Sequence, residues 1–65
     1  EEEEEEARVV REKKFDLRPM DVEEAILEME MLQHDFFVFL NMDTNSVNVV
    51  YKRKGNDYGL LEPQY

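Results

Sequence analysis

Side chains able to do acid–base or nucleophilic chemistry are few in this 65-residue sequence, which contains one histidine, one serine and no cysteine. His34 stands beside Asp35, and the two together could form a general base or part of a metal site. Adjacent residues of an extended chain point to opposite sides, so these side chains are not expected to meet. We predict that His34 is a helix-end or turn residue, that the chain has no catalytic residues, and that it is not an enzyme.

Motifs for metals and cofactors are incomplete. Residues 43–45, with the sequence Asp-Thr-Asn, begin like a calcium loop but lack the third ligand, the glycine and the closing glutamate. The two glycines form no phosphate-binding loop. We therefore predict no metal site and no cofactor.

Basic residues form two short clusters, Lys52-Arg53-Lys54 and Arg11 with Lys13 and Lys14. The formal net charge is −9, of which the first six residues, all glutamate, carry six, so the remaining 59 residues carry −3. Affinity for a phosphate backbone comes from dense basic clusters, and mixed charges on strands are more often solvated edge residues. Direct nucleic-acid contact is therefore expected to be secondary at most, and contact with RNA or an acidic surface through residues 52–54 is the alternative.

The glutamate run marks a boundary in the chain. Blocks of like charge repel one another, so residues 1–7 are predicted to be the remnant of an acidic linker, with an acidic docking tail as the alternative. Residues 8–65 are predicted to form one domain. No apolar run reaches the roughly 20 residues of a membrane span, and the acidic N-terminus is unlike a signal peptide, so we expect a soluble, cytoplasmic chain without membrane contact.

Local signals predict a strand followed by a helix. β-Branched residues in rough alternation predict a strand over residues 8–16, which Pro19 ends. Asp21 followed by Glu24 resembles a capping box, which predicts that a helix begins there. Apolar residues then recur at steps of three and four and form one stripe, which indicates a helix ending near residues 32–33. The stripe contains Val22, Ala25, Ile26, Met29 and Leu32 and is widened by Leu27 and Met31.

Three further strands complete the predicted order βαβββ. The run FFVFLN predicts a strand over residues 36–41, and a second strand follows the turn at residues 43–45. A three-residue hairpin loop there would place Asn45 in the left-handed region and pair Met42 with Ser46. Residues 54–57 predict another turn, followed by a last strand over residues 58–62.

The two faces of the predicted sheet are both apolar. Counting from the predicted hairpin assigns one face to the core under the helix, with Phe37, Phe39, Val49 and Tyr51 packed against Ile26 and Met29. The other face would carry Phe36, Val38, Leu40, Val50 and Leu61. A chain this short and without cysteines gains little from one core, so self-association is one of its few sources of additional stability. We predict an α+β fold with one helix on one face of a small, mostly antiparallel sheet and the other face buried in a homodimer.

Ordered motifs give the sequence a family resemblance. FDLRPM precedes the predicted helix, EEAI lies within it, and HDFFVF, NVVYKRK and YGL follow in the strands. With these motifs the chain resembles, from about Val9 to Pro63, the C-terminal domain of the long-form ribosome hibernation promoting factors, the S30AE or sigma-54 modulation family. Several motifs at the right spacing are far more specific than one short motif.

The resemblance implies a two-domain parent. In that family an N-terminal domain binds the small ribosomal subunit, and the C-terminal domain forms a homodimer that joins two inactive 70S ribosomes into a 100S particle. It implies that residues 8–65 are this dimerisation domain, that the ribosome-binding domain is absent from this chain, and that the chain's partner is a second copy of itself. The alternative function becomes a monomeric module that contacts the ribosome surface or RNA through Lys52-Arg53-Lys54.

The sequence departs from the family pattern at two positions. The family commonly has glycine where this chain has Gln33, and it often has glycine where this chain has Asn45. A glycine at the first position would cap the helix with a positive φ, so Gln33 departs from the cap residue of the family, whereas the hairpin turn can accept Asn45 in place of glycine. Neither position belongs to the apolar faces.

Overall fold

The computed structural model describes residues 7–64. In chain order its elements are β1 (Pro19–Met20), α1 (Val22–Leu32), β2 (Phe36–Asn41), β3 (Ser46–Lys52) and β4 (Tyr58–Leu61). The predicted order βαβββ is confirmed. The predicted acidic linker over residues 1–7 lies outside the described residues except for Ala7.

The strands form one sheet in the order β1-β2-β3-β4. β1 runs parallel to β2, whereas β3 pairs antiparallel with both β2 and β4. α1 links the two parallel strands and packs against β2 and β3 on one face of the sheet. The predicted α+β class with a mostly antiparallel sheet is therefore confirmed, and the parallel pair at one edge makes the sheet mixed.

The strand predicted over residues 8–16 is wrong. Residues 7–18, which we call the N-terminal arm, are exposed and contain no helix or strand. The first strand is only Pro19–Met20, paired with Leu40 and Asn41. β-Branched composition favours a strand, but a strand also needs a neighbour for its backbone hydrogen bonds. The residues of the arm before Arg18 do not lie beside β2, so they have no such neighbour.

Pro19 begins β1 instead of ending a strand. The carbonyl groups of its neighbours, Arg18 and Met20, accept hydrogen bonds from the N–H groups of Leu40 (3.3 Å) and Met42 (3.0 Å). Alternate residues of a strand direct their backbone groups to opposite sides, so the nitrogen of Pro19 faces away from β2. A proline is compatible with this edge because no donor is needed there.

The predicted start of the helix is confirmed. The side chain of Asp21 accepts a hydrogen bond from the N–H of Glu24 at 2.8 Å. This satisfies one of the free N–H groups of the first turn, while Glu23 and Glu24 place negative charge at the positive end of the helix dipole.

The helix ends at a Schellman motif. Gln33 has φ 58° and donates its N–H to the carbonyl of Glu30, and His34 donates its N–H to the carbonyl of Met29, both at 3.1 Å. The predicted end near residues 32–33 is thus confirmed. Gln33 adopts the backbone conformation for which glycine is best suited, at some cost in strain.

The helix content also bears on membranes. α1 has 11 residues and carries several glutamates. Nowhere in residues 7–64 does a helix have both the length and the apolar character needed to cross a membrane.

The predicted register of the β2–β3 hairpin is wrong by one residue. Asn41 pairs with Ser46, so the loop consists of the four residues Met42–Asn45. Asn45 does adopt the predicted left-handed conformation, with φ 58°. The extra loop residue changes which residues of β3 lie on each face of the sheet.

Asn41 explains the longer loop. Its side-chain oxygen accepts a hydrogen bond from the N–H of Asp43 at 3.0 Å. Its carbonyl accepts from the N–H groups of Thr44 (3.3 Å) and Asn45 (2.6 Å). These bonds close the turn at Asn41 rather than at Met42.

The core lies between α1 and the sheet. Its buried apolar residues within the described range are Met20, Ala25, Met29, Phe39 and Val50, with Val22, Ile26 and Phe37 packed partly against them. The helix stripe is narrower than predicted, because Leu27, Met31 and Leu32 are exposed. One face of α1 and one face of the sheet therefore account for the core.

Candidate functional site: the open face of the sheet

The observed register divides the sheet into two faces. Paired residues of neighbouring strands share a face, and successive residues alternate between faces. The covered face, toward α1, contains Met20, Phe37, Phe39, Asn41, Asn48, Val50, Lys52, Tyr58 and Leu60. The open face contains Pro19, Phe36, Val38, Leu40, Val47, Val49, Tyr51, Gly59 and Leu61.

Four of the five residues predicted for a dimer interface share the open face. They are Phe36, Val38, Leu40 and Leu61. Val50, the fifth, lies on the covered face and is 1% exposed. The one-residue change of register is the reason: Val50 pairs with Phe37, which points toward the helix.

The residues predicted for the core divide in the same way. Phe37 and Phe39 lie on the covered face with Met29 and Ile26. Val49 and Tyr51 lie on the open face, because Val49 pairs with Val38 and Tyr51 with Phe36. The residues of β2 were therefore assigned to the correct faces. Only the residues of β3, which follows the turn, were assigned to the wrong faces.

The open face is a continuous apolar surface. Phe36 is 58% exposed and Leu61 is 53% exposed, at opposite sides of the face. Between them Val38, Leu40 and Val49 are half-buried by their neighbours in the sheet. No element among residues 7–64 packs over this face, so its side chains meet solvent in the single chain.

Tyr51 lies flat against Gly59 at the β4 side of the open face. A Cβ atom built on Gly59 would come within 2.5 Å of the Tyr51 ring. The two residues are direct cross-strand partners. Glycine therefore leaves the space that the aromatic ring fills, and the ring covers backbone that glycine would otherwise expose.

Two buried asparagines interrupt the covered face. The amide of Asn41 donates to the side-chain oxygen of Asn48 at 2.9 Å, and the amide of Asn48 donates to the carbonyl of Val47 at 2.7 Å. Asn41 and Asn48 are 4% and 1% exposed. The predicted register, in which Met42 pairs with Ser46, would place Asn48 on the outer face with Val50, and no local signal marks its partner Asn41.

A polar cluster joins α1 to the sheet at the rim of the covered face. The carboxylate of Glu30 accepts a hydrogen bond from the hydroxyl of Tyr58 and lies 3.3 Å from the Nζ of Lys52. The hydrogen bond from Tyr58, followed by the contact with Lys52, lowers the pKa of Glu30 below 4.5. The same bond to Glu30 raises the pKa of Tyr58 above 10.0.

The basic segment at residues 52–54 is only partly available for a partner. Lys52 forms an ion pair with Glu30, and the backbone carbonyl of Asp57 accepts a hydrogen bond from the N–H of Arg53 at 2.9 Å. An open depression of about 570 Å³ lies beside this segment and is lined by its three basic residues together with Tyr51 and Asp57. The Glu30 carboxylate pairs with Lys52 and the acidic residue Asp57 lines the same depression, which weakens the attraction of this segment for phosphate.

His34 and Asp35 lie between α1 and β2, and both are exposed. The carbonyl of Asp35 accepts a hydrogen bond from the N–H of Lys52 at 2.9 Å. Within residues 7–64, no group of three or more carboxylate, histidine or cysteine side chains is placed to hold a metal ion. The predictions of no catalytic residue and no cofactor stay predictions.

Comparisons with known proteins give a consistent result. The family model "Sigma 54 modulation/S30EA ribosomal protein C terminus" matches residues 4–60. A ribosome hibernation promotion factor of Bacillus subtilis (strain 168) is 61% identical over 62 residues, covering 95% of this chain and 33% of that protein. A protein of the same name from Staphylococcus aureus (strain COL) is 49% identical over 57 residues, covering 88% of this chain and 30% of that protein. The chain thus spans about a third of the length of these curated relatives.

Proposed function

Because the chain belongs to the family of sigma-54 modulation/S30EA ribosomal protein C termini, we propose that it is the homodimerisation module of a ribosome hibernation factor. Two copies would join two inactive 70S ribosomes into a 100S particle and so support translational silencing. The relatives' names supply the link to ribosome hibernation. The open face supplies the reason for assigning dimerisation to this part of the protein.

The uncovered apolar face is the observation that carries the proposal. A single layer of sheet with Phe36 and Leu61 more than half exposed leaves a continuous apolar patch in water. Such patches mark association sites. A second copy would present the same patch, as the self-complementary contact of a two-fold dimer requires.

The mechanism would be geometric. The chain spans about a third of its relatives, and the remaining length is expected to include a domain that binds the small ribosomal subunit in the cytoplasm. If each protomer is held on one ribosome, a dimer of this domain makes the attachment bivalent. No chemistry at the interface is needed, since the apolar contact itself provides the affinity.

Charge substitutions on the open face test the proposal. Phe36→Glu or Val38→Glu would place a carboxylate inside the contact, which we expect to give monomers in sedimentation or light scattering at micromolar concentration. Leu27→Glu is the matched control, because Leu27 is also apolar and 65% exposed but lies on the outer surface of α1. In the full-length protein, the two open-face variants should lose 100S particles and keep ribosome binding.

The oligomeric state of the unmodified chain is decisive. A folded monomer at micromolar concentration would exclude the dimerisation module. So would a dimer that survives both open-face substitutions but is lost with Leu27→Glu, because that pattern would assign the contact to the helix.

A monomeric module that contacts the ribosome surface or RNA through Lys52-Arg53-Lys54 is the alternative. It predicts salt-dependent RNA binding by this chain, weakened by Arg53→Glu with Lys54→Glu. The ion pair between Lys52 and Glu30 and the net negative charge of the chain favour dimerisation over this alternative.

A further inference from the structure

The outer edge of β2 has backbone groups that no strand uses. Lys52 donates its N–H to the carbonyl of Asp35, and Leu40 donates its own to the carbonyl of Arg18. Because backbone groups alternate along a strand, Phe36 and Val38 direct theirs outward, as Leu40 does. β1 pairs with Leu40 and Asn41 alone, so within the described chain Phe36 and Val38 have no strand partner on that side.

The N-terminal arm can supply the missing hydrogen bonds in the register that β1 already sets. Each residue of β1 pairs with the residue 21 positions later, as Pro19 does with Leu40 and Met20 with Asn41. Continued backwards, this register places Leu17 beside Val38. The N–H of Arg18 then faces the carbonyl of Val38, and Asp16 faces the N–H of Val38 and the carbonyl of Phe36. The N–H of Phe36 faces the carbonyl of Lys14. No insertion or bulge is required.

The same register places the apolar side chains of the arm on the open face. Residues 15, 17 and 19 fall on the open face, so Phe15 would lie beside Phe36 and Leu17 beside Val38. In the single chain Phe15 is 65% exposed and Leu17 is 40% exposed. The arm would therefore extend β1 into a longer strand with apolar residues on the open face.

Charge complementarity favours the same position. The register places Lys14, Asp16 and Arg18, which together carry a net positive charge, on the side of the sheet occupied by α1. Glu30 contacts β3 and β4, and Glu28, two residues earlier, is about 160° away around the helix. Glu28 therefore overlooks the outer edge of β2, where the basic side chains of the arm would lie.

The area of the open face explains why docking of the arm and dimerisation would depend on each other. Three strands about 4.8 Å apart and 20 Å long give a footprint of roughly 300 Å², compared with about 800 Å² per partner in a standard interface. Extending β1 with the arm to a similar length enlarges that footprint by about a third. In the single chain, docking would leave Phe15 and Leu17 facing solvent, so little apolar surface would be removed from water to offset the ordering of the arm.

We infer that the N-terminal arm, through residues 14–18, docks as a strand on the outer edge of its own β2 when a second copy covers the open face. This inference rests on the proposed dimer. It assigns Phe15 and Leu17 to the contact between copies, and it makes ordering of the arm a consequence of dimerisation.

Amide hydrogen exchange of the 65-residue chain tests the inference, with sedimentation on the same sample. In the dimer, we expect the amides of Phe36 and Val38 to exchange at least roughly 100-fold more slowly than in the Phe15→Ser variant. That variant should also weaken dimerisation about tenfold or more, because a large apolar side chain no longer enters the contact. Val10→Ser is the matched control in the same arm, outside the paired segment, and should change neither quantity.

The outcomes separate this inference from the proposed function. A monomer at all concentrations would overturn both. A dimer in which the Val38 amide exchanges freely would overturn the docking alone. A mixed dimer of isotope-labelled and unlabelled chains should show the Leu17–Val38 contact only within one chain. If the contact instead joins two chains, the arms are exchanged between protomers and the inference is wrong.

Discussion

The two faces of the sheet are built from the same strands and are similarly rich in apolar residues, yet they have different roles. On the covered face, Phe39 and Val50 are fully buried under α1. On the open face, Val38 and Val49 are next to these residues in the strands and stay in contact with solvent. The difference teaches that hydrophobicity alone does not identify a core residue. What decides is which side of the strand the single helix covers.

The strongest test of this comparison replaces two adjacent residues of β3. Val50→Asp would bury a carboxylate under the helix at a cost of several kcal/mol, comparable with the whole stability of about 5 kcal/mol of a small domain. Val49→Asp changes the open face instead. We expect Val50→Asp to be unfolded by circular dichroism, and Val49→Asp to be folded and monomeric by sedimentation.

The opposite result has a clear meaning. An unfolded Val49→Asp variant beside a folded Val50→Asp variant would restore the register in which Met42 pairs with Ser46. The roles of the two faces in β3 would then be exchanged.

A smaller effect is expected from the polar pair within the covered face. Asn48→Ala removes the acceptor of the buried Asn41 amide. An unsatisfied buried donor costs about 1–3 kcal/mol, so the free energy of unfolding in urea should fall by that amount. Asn56→Ala, in the exposed turn, is the control and should stay within about 0.5 kcal/mol of the parent chain. An unchanged stability of Asn48→Ala would mean that water replaces the lost partner.

The next effect stabilises the helix that covers the sheet. Gln33→Gly places glycine at φ 58° and should raise the free energy of unfolding by about 1 kcal/mol. Asn45→Gly makes the same change at the same φ in the hairpin loop. Its gain should be smaller, because asparagine tolerates the left-handed conformation better than glutamine does. Equal gains in thermal melts would show that the strain does not depend on the residue type.

The sequence predicts the helix and the alternation of β2 because these depend on local interactions. Asp21 and Glu24 are three residues apart, and alternation follows from the pleat of a single strand. The register of β3 depends instead on whether Asn41 or Met42 closes the turn, which a hydrogen bond from the Asp43 N–H decides. Local pattern does not reveal that choice, and one residue of error moved Val49 and Val50 to the wrong faces.

The first strand was predicted at the wrong residues for a different reason. The arm has strand-like composition, but whether it pairs depends on a neighbouring edge, and under the proposed function on a second chain. The candidate site was therefore predicted as a kind of surface, together with the residues that β2 contributes to it. The contributions of β3 could not be predicted from pattern alone.

The smallest expected effect concerns the rim of the covered face. The hydrogen bond from Tyr58 is the main cause of the lowered pKa of Glu30, so Tyr58→Phe should move that pKa back toward 4.5 in an NMR titration. A carboxyl whose pKa is lowered by folding adds stability above its unfolded pKa, and this contribution is lost as pH falls through the folded pKa. Tyr58→Phe should therefore flatten the acid limb of the stability curve below about pH 4.5.

At the alkaline end, the raised pKa of Tyr58 means that the parent chain should lose stability as pH rises above about 10, and the variant should not show this loss. Because Glu30 is exposed at the rim, both changes should be small and should weaken with salt, unlike the substitutions beneath the helix. An unchanged Glu30 pKa in Tyr58→Phe would assign the shift to Lys52 instead, and Lys52→Met would then be the variant that removes it.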